Sequence, residues 1–406
     1  MKKLSPHQQW EDFIHHGLPT RHDESWKYTD LTFLANKKFT IAKRIVSPSA
    51  LREKVDQYRL LNEKCILLVL VDGDFVPVLS DIKKLPMGVI IDTRANAVIK
   101  HARLLSQQLP EINAKKYPFA HMNSITATEG LFIYLPDECE LPLPIHLLSL
   151  AVSEEEFIAH PQHLFILGER SKLVVFEEYA AISTQAYMMN ILTTFIIGKT
   201  ASLLHHKIQT ENKLAVHIAS TFVKQKQDSS TAFTNFSSGA TFARDEIVVT
   251  LSEPGADCRT AGFYRLQHDN QYIDHHIDIV HSAPRSSSEI LYKGTLDKKS
   301  RAVFNGRVCV EENAQKISAV QANHNLLLSP QAEVYSKPEL EIYADDVKCK
   351  HGATTGQLDQ DALFYMRARG IERPEAVTIL LQGFSEDIIQ RVSHPGMRQR
   401  AQESIL

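Results

Sequence analysis

Cysteine is scarce, with five in 406 residues. Cys65, Cys139, Cys258, Cys309 and Cys349 never fall into a CxxC pair, which argues against a structural zinc ribbon and against a disulfide framework. No sign of charge dominates: 45 Lys and Arg face 48 Asp and Glu, a formal net charge of −3. That balance does not fit a protein whose main work is to wrap DNA or coat an acidic membrane. No apolar run approaches the roughly 20 residues needed to span a bilayer. Met1-Lys2-Lys3-Leu4-Ser5-Pro6-His7 leads into polar sequence with no apolar signal core, so a cytoplasmic protein is expected. Several chemistry-bearing motifs are missing. There is no GxxxxGK[ST] loop for ATP phosphates, no GxSxG elbow, no HExxH helix, and no stripe of basic and aromatic residues for nucleic acid.

What is present is ample core material, 43% hydrophobic. Ser5 as N-cap, Pro6 at the first helical position and Gln8 predict a helix with Trp10, Phe13 and Ile14 on one face, stopped by Gly17 and Pro19. An apolar run at 65–71, the turn pair Asp72-Gly73 and a return at 75–79 predict a hairpin. Another short apolar run lies at 88–91. Residues 95–109 read as one helix, with Val98, Ala102, Leu105 and Leu109 on a stripe ending at Pro110. From about residue 120 the character changes. Short extended segments at 173–179, 191–197, 215–223, 246–251, 272–280, 289–294 and 302–310 recur every 10 to 15 residues or so, rich in Val, Ile, Thr, Phe and Tyr. Polar residues alternate with apolar ones, which predicts one wet face for most strands. A sandwich, a barrel and a solenoid all fit. The near absence of Asn-Gly and Asp-Gly turns after residue 120 disfavours antiparallel meanders and leaves a parallel β-helix ahead. The tail turns helical: 358–369 with Leu363, Phe364 and Met366, a stop at Gly370-Ile371, then a helix from Pro374 with Val377, Leu380, Leu381 and Phe384 on one face. The last dozen residues are polar and are expected to fray.

The densest chemical cluster is Ala344-Asp345-Asp346-Val347-Lys348-Cys349-Lys350-His351-Gly352-Ala353-Thr354. On a strand, Cys349 and His351 point one way and Lys348 and Lys350 the other. A sulfur and an imidazole side by side suit iron, zinc or copper(I), and the cationic neighbours are expected to lower the thiol pKa. Two donors do not complete a site, so the competing reading is a half-buried cysteine beside a surface histidine. His275, His276 and His281 share a segment with Asp274 and Asp278, where a solvated strand face outweighs a metal site. His205 and His206 are adjacent and should point apart. Cys258 and Cys309 read as buried, inert thiols. Asp345 and Asp346 are neighbours on a strand and face opposite ways, a poor acid/base pair.

The residues then become recognisable. Gly17-Leu18-Pro19-Thr20-Arg21 followed by Glu24-Ser25-Trp26-Lys27-Tyr28-Thr29 resembles the leading segment of the SufD branch of the SufB/SufD family. Pro338-Glu339-Leu340-Glu341-Ile342, the cluster from Asp345 to Thr354, Gly356-Gln357-Leu358-Asp359, Leu363-Phe364-Tyr365 and Arg369-Gly370-Ile371 resemble the signature shared by both branches. Tyr292-Lys293-Gly294, Phe304-Asn305-Gly306 and Asn325-Leu326-Leu327-Leu328-Ser329 also fit, so the resemblance covers nearly the whole chain. It implies a mainly β chain: a right-handed parallel β-helix core at 118–356 between an N-terminal helical (α/β) domain at 1–117 and a C-terminal helical domain at 357–406. It implies a non-catalytic scaffold subunit of the SUF iron–sulfur cluster assembly machine. Such a subunit pairs with SufB through the β-helices and contacts the SufC ATPase through the C-terminal helices. It binds neither nucleic acid nor membrane, and forms a homodimer when isolated. Cys349 and His351 match the family's candidate ligands for a nascent cluster at the SufB interface, held there transiently and not by this chain alone. One departure is Lys350, where the family often has a small residue; on a strand it faces away from both donors. Two alternatives fit the chemistry less well. The SufB paralogue would be longer and richer in cysteine, and a polysaccharide-acting β-helix enzyme needs converging acids that this sequence does not offer.

Overall fold

The computed structural model describes residues 6–37, 39–42, 47–60, 64–82, 85–105, 109–127 and 129–405. Two large sheets face each other. One carries in order Glu333–Ile342, Arg301–Val310, Tyr272–His281, Phe242–Leu251, Val216–Gln225, Tyr187–Ile197, Gln162–Leu167, Leu131–Leu135 and Ile90–Thr93. The other carries Val347–Gly356, Ile317–Leu327, Ser287–Leu296, Asp257–Leu266, Ser230–Ser237, Ser202–Gln209, Lys172–Ala181, Ile145–Ala151, Ile66–Val71 and Asp74–Phe75. From Gln162–Leu167 onward sequence neighbours alternate between the sheets, and the ladders are parallel except at the two outermost N-terminal pairs. Phe242 stands beside Tyr272 and Tyr272 beside Arg301, so a turn of this parallel β-solenoid takes about 30 residues, for about eight turns.

Constant register stacks like on like. Phe165 lies over Phe195 with ring centroids 4.6 Å apart, and Phe157 over Tyr187 at 5.1 Å. The corners explain why turn signals were so weak. Arg170, Thr200, Asp228, Arg285, Lys298 and Lys316 all adopt φ between 52° and 61°, the left-handed region. A single such residue turns the chain from one sheet to the other, and non-glycine residues hold it at a cost of about 1 kcal/mol each. Inside, Tyr264 and Tyr292 each lie across a glycine of the next strand. A Cβ on Gly294 would sit 1.9 Å from the Tyr264 ring and one on Gly262 2.2 Å from the Tyr292 ring. Tyr264 also donates to Asn325 at 2.5 Å. Gly294→Ala is therefore expected to destabilise the fold by about 1–3 kcal/mol, read from a denaturant melt; an unchanged midpoint would contradict this packing.

Over the middle turns the expected wet faces are not wet; the alternation survives at the last turn, where Ile317–Leu327 shows buried and exposed residues in turn. Every residue of Tyr187–Ile197 is buried. The outer side of the first sheet is covered by the N-terminal segment, where Trp10, Ile14, Trp26, Leu31, Phe39 and Phe119 pack on Ile158, Met188, Val216 and Ile218. The outer side of the second is covered by C-terminal helices, where Ile388, Val392, Met397, Ala401 and Ile405 pack on Phe176, Ile208, Phe236 and Phe263. Some polar residues at outer positions find their partners in that cover. Arg244 is 1% exposed: it donates to Asp274 at 2.5 Å, to Glu246 at 2.7 Å and to the Ser25 carbonyl at 3.1 Å, and its guanidinium sits 3.7 Å from the Trp26 ring. Arg244→Ala would leave two buried carboxylates facing each other and is expected to cost about 3–5 kcal/mol, with Trp26 fluorescence shifting toward that of an exposed indole. A loss below about 1 kcal/mol would contradict it.

Other local expectations are corrected as well. The N-terminal helix runs Pro6–Asp12 and continues as a π turn at Phe13–Gly17, while Ser5 lies outside the described residues. The 95–109 helix is two pieces, Arg94–Lys100 and Ala102–Leu105, broken where His101 leaves helical geometry; 106–108 lie outside the described residues. The return strand after Asp72-Gly73 is only Asp74–Phe75. The tail helices run Gln360–Ala368, capped by Asp359, and Arg373–Ile389. Gly370 takes φ 87°, as its stop requires. Residues 395–405 do not fray, and 406 lies outside the described residues. Pro395–Ile405 is a helix whose Met397, Ala401 and Ile405, spaced by four, are buried, and Arg265 donates to the Ile405 carbonyl at 2.6 Å.

Candidate functional site at the open rim

The last strand of each sheet ends the solenoid. Among the described residues Val347–Gly356 pairs only with Ile317–Leu327, and Glu333–Ile342 only with Arg301–Val310. Each therefore presents an unpaired edge ten residues long. Such edges template pairing with another chain, and this one carries the features that discourage indiscriminate pairing: Pro338, which has no N–H, and the charges of Lys337, Glu339, Glu341, Lys348 and Lys350.

Register fixes where the signature points. Cys349 stands beside Ala319 and His351 beside Gln321, both buried on the inner face. Lys348 and Lys350 stand beside Ser318 and Val320, both exposed. The alternation brings Cys349 and His351 to one face at the mouth of the solenoid and sends both lysines to the other. Cys349 is half-buried against the main core, and His351 is exposed. One expectation fails: burial pushes the Cys349 thiol up, against a smaller opposing effect of its backbone contact with Ala319. The lysines sit outward in solvent and do not counter that. A bound metal, not neighbouring ammonium groups, would have to deprotonate this sulfur.

The Cys349–His351 pair is two donors and no more. Among the described residues no cluster of three or more His, Cys, Asp and Glu side chains is placed to hold one. His275 points into the core, while His276 points outward and its Nε2 lies 2.8 Å from Asp274, beside Arg244. That face is a buried ion-pair cluster under the N-terminal segment, not the solvated face expected. His205 faces inward and meets Glu177 at 2.7 Å, and His206 faces the C-terminal helices, so the two do point apart. Cys258 is fully buried and its thiol is pushed up to about 12; burial also raises Cys309. Asp345 and Asp346 are exposed.

The rim also draws on residues that sequence reasoning left without a role. Tyr28 stacks on Tyr335 at 4.7 Å, Glu24 meets Lys337 at 2.8 Å, and Thr29 donates to Asp274 at 2.8 Å. The leading segment thus clamps onto the first sheet as far as its last strand. Lys293 reaches Asp387 at 2.9 Å and the Phe384 carbonyl at 3.1 Å, anchoring the helix Arg373–Ile389. Packed against that helix, Gln360–Ala368 buries Leu363 but leaves Phe364 and Tyr365 74% and 58% exposed.

A long parallel solenoid with helices laid on both outer faces and an unpaired, donor-bearing last turn defines an assembly component rather than a closed pocket. Comparison with known proteins makes that specific. Residues 150–384 match the family model for the SUF system FeS cluster assembly SufBD core domain, and residues 5–147 match the SufBD protein N-terminal region. The chain is 30% identical over 406 residues to the iron–sulfur cluster assembly protein SufD of Escherichia coli, covering 98% of this chain and 91% of that protein. It is 30% identical over 397 residues to an iron–sulfur cluster assembly SufBD family protein of Synechocystis, covering 96% and 87%. It is 27% identical over 395 residues to the chloroplastic protein ABCI7 of Arabidopsis thaliana, covering 95% and 82%. The chain belongs to the SufBD family of the SUF iron–sulfur cluster assembly system. No helix among the described residues is long and apolar enough to cross a membrane.

Proposed function

We propose that this chain is the SufD-type scaffold subunit of a cytoplasmic SUF assembly complex and has no catalytic activity of its own. Its open rim pairs with the β-helix of SufB, and in isolation the same edges pair with a second copy. The cluster is cargo, not a resident cofactor: Cys349 and His351 offer one sulfur and one nitrogen, and SufB supplies the remaining ligands. The observation that carries this reading is the placement of both donors on one face of a strand whose outer edge is unpaired. Ligands at such an edge become complete only when another chain docks.

The helix Gln360–Ala368 is the contact for the SufC ATPase. An exposed Phe364-Tyr365 pair on a helix that only Leu363 ties down is the kind of aromatic anchor that dominates interfaces. Co-expressed with SufB and SufC, the chain is expected to purify as a three-component complex. Phe364→Asp is expected to lower SufC recovery about tenfold or more while leaving SufB recovery unchanged. Undiminished SufC in that variant would contradict the assignment of the helix.

A further inference from the structure

Gln321 stands beside His351 in the neighbouring strand and is only 2% exposed. Its Nε2 donates to the Gly306 carbonyl on the opposite sheet at 2.8 Å, which fixes the orientation of the amide. Its Oε1 has no hydrogen-bond partner among the described residues. A buried acceptor left unpaired costs about 1–3 kcal/mol, so this oxygen gains from any donor that comes within reach. Gly306 is part of that arrangement: a Cβ there would lie 2.3 Å from Gln321 Nε2, so only glycine lets the amide lie where it does. This accounts for the glycine in Phe304-Asn305-Gly306. On the other side, the exposed His351 has no hydrogen-bond or ion-pair partner among the described residues. Side chains in register on one face of a sheet stand about 4.8 Å apart, within reach of a small turn of the imidazole.

We propose that Gln321 is the positioning residue of His351, its free Oε1 taking one imidazole N–H so that the other ring nitrogen presents its lone pair to the rim. A metal-bound histidine almost always donates its second nitrogen to such an acceptor, which fixes both tautomer and ring plane. An amide oxygen can only accept, so of the two neutral tautomers it selects the one with the proton on the inner nitrogen. The inference rests on His351 being a donor to the cluster, and its test separates the two. Nitrogen-15 histidine spectra of the purified chain, with His351 assigned by loss of its signals in His351→Ala, report the tautomer directly. The wild type is expected to depart from the tautomer ratio of free imidazole, and Gln321→Leu to return to it. Gly306→Ala should do the same by displacing the amide without altering it, which serves if Gln321→Leu does not fold. In the complex with SufB and SufC, Gln321→Leu is expected to weaken cluster retention about 10- to 100-fold. A tautomer ratio unmoved by both Gln321→Leu and Gly306→Ala overturns the inference, as does full cluster retention in Gln321→Leu when His351→Ala loses it. If His351→Ala itself retains the cluster, the ligand reading falls instead, and the tautomer spectra still decide the hydrogen bond.

Discussion

Between pH 6.5 and 4 the folded chain is expected to lose most of its stability. Burial drives His163, His275 and His281 down to about 4 and His206 to about 3, from an ordinary 6.5. His206 and His275 find no hydrogen-bond partner at either ring nitrogen among the described residues, so the neutral rings are held by packing alone. Their values are depressed, so in this window the unfolded chain binds protons that the folded chain refuses. Stability is therefore highest above pH 6.5 and falls as the pH drops. Each pH unit separating a group's folded and unfolded pKa is worth about 1.4 kcal/mol, and four such rings sum to on the order of 10 kcal/mol, comparable with the whole stability of a folded chain. Glu177 extends the fall. Burial works against its charge, but the hydrogen bond and charge contact with His205, together with the charges of Lys207 and His163, hold it at about 2 against an ordinary 4.5. A depressed carboxyl contributes stability above its unfolded value and loses it as the pH falls through the folded one, here between 4.5 and 2. Denaturant melts at half-unit steps from pH 7.5 to 4 check the slope. A midpoint that stays flat over that range would contradict the burial of these rings.

Much of the site was legible because β alternation is short-range. That Cys349 and His351 share a face, and that Lys350 leaves it, follows from a period of two and needs no tertiary information. The same locality made the stop at Gly370, the hairpin at Asp72-Gly73 and the helix from Pro374 readable. What was missed depends on residues far apart in sequence. Over the middle turns the wet faces were wrong because alternation tells which residues share a side but not what covers it, and the cover comes from Trp10, Trp26 and Phe119 on one sheet and residues 388–405 on the other. The corners were invisible because Arg170, Thr200 and Lys298 occupy a conformation usually signalled by glycine. The raised Cys349 thiol reflects packing against the core, which adjacency to lysine in the sequence obscured. Gln321 lies one solenoid turn from His351, and no local pattern joins them. The tail helix did carry a signal, the spacing of Met397, Ala401 and Ile405, which the polar residues between them masked.

The scaffold role turns on what the rim does once a partner closes it. Iron and acid-labile sulfide, measured per complex after anaerobic reconstitution with SufB and SufC, test this directly. His351→Ala should leave the three chains together and lower both contents about tenfold, since an exposed side chain on an otherwise intact strand removes a ligand and little else. Lys350→Ala, one residue away on the opposite face, should leave both contents as in the wild type. Wild-type iron and sulfide in the His351→Ala complex, or an equal loss in Lys350→Ala, would contradict a cluster site on the inner face of this strand.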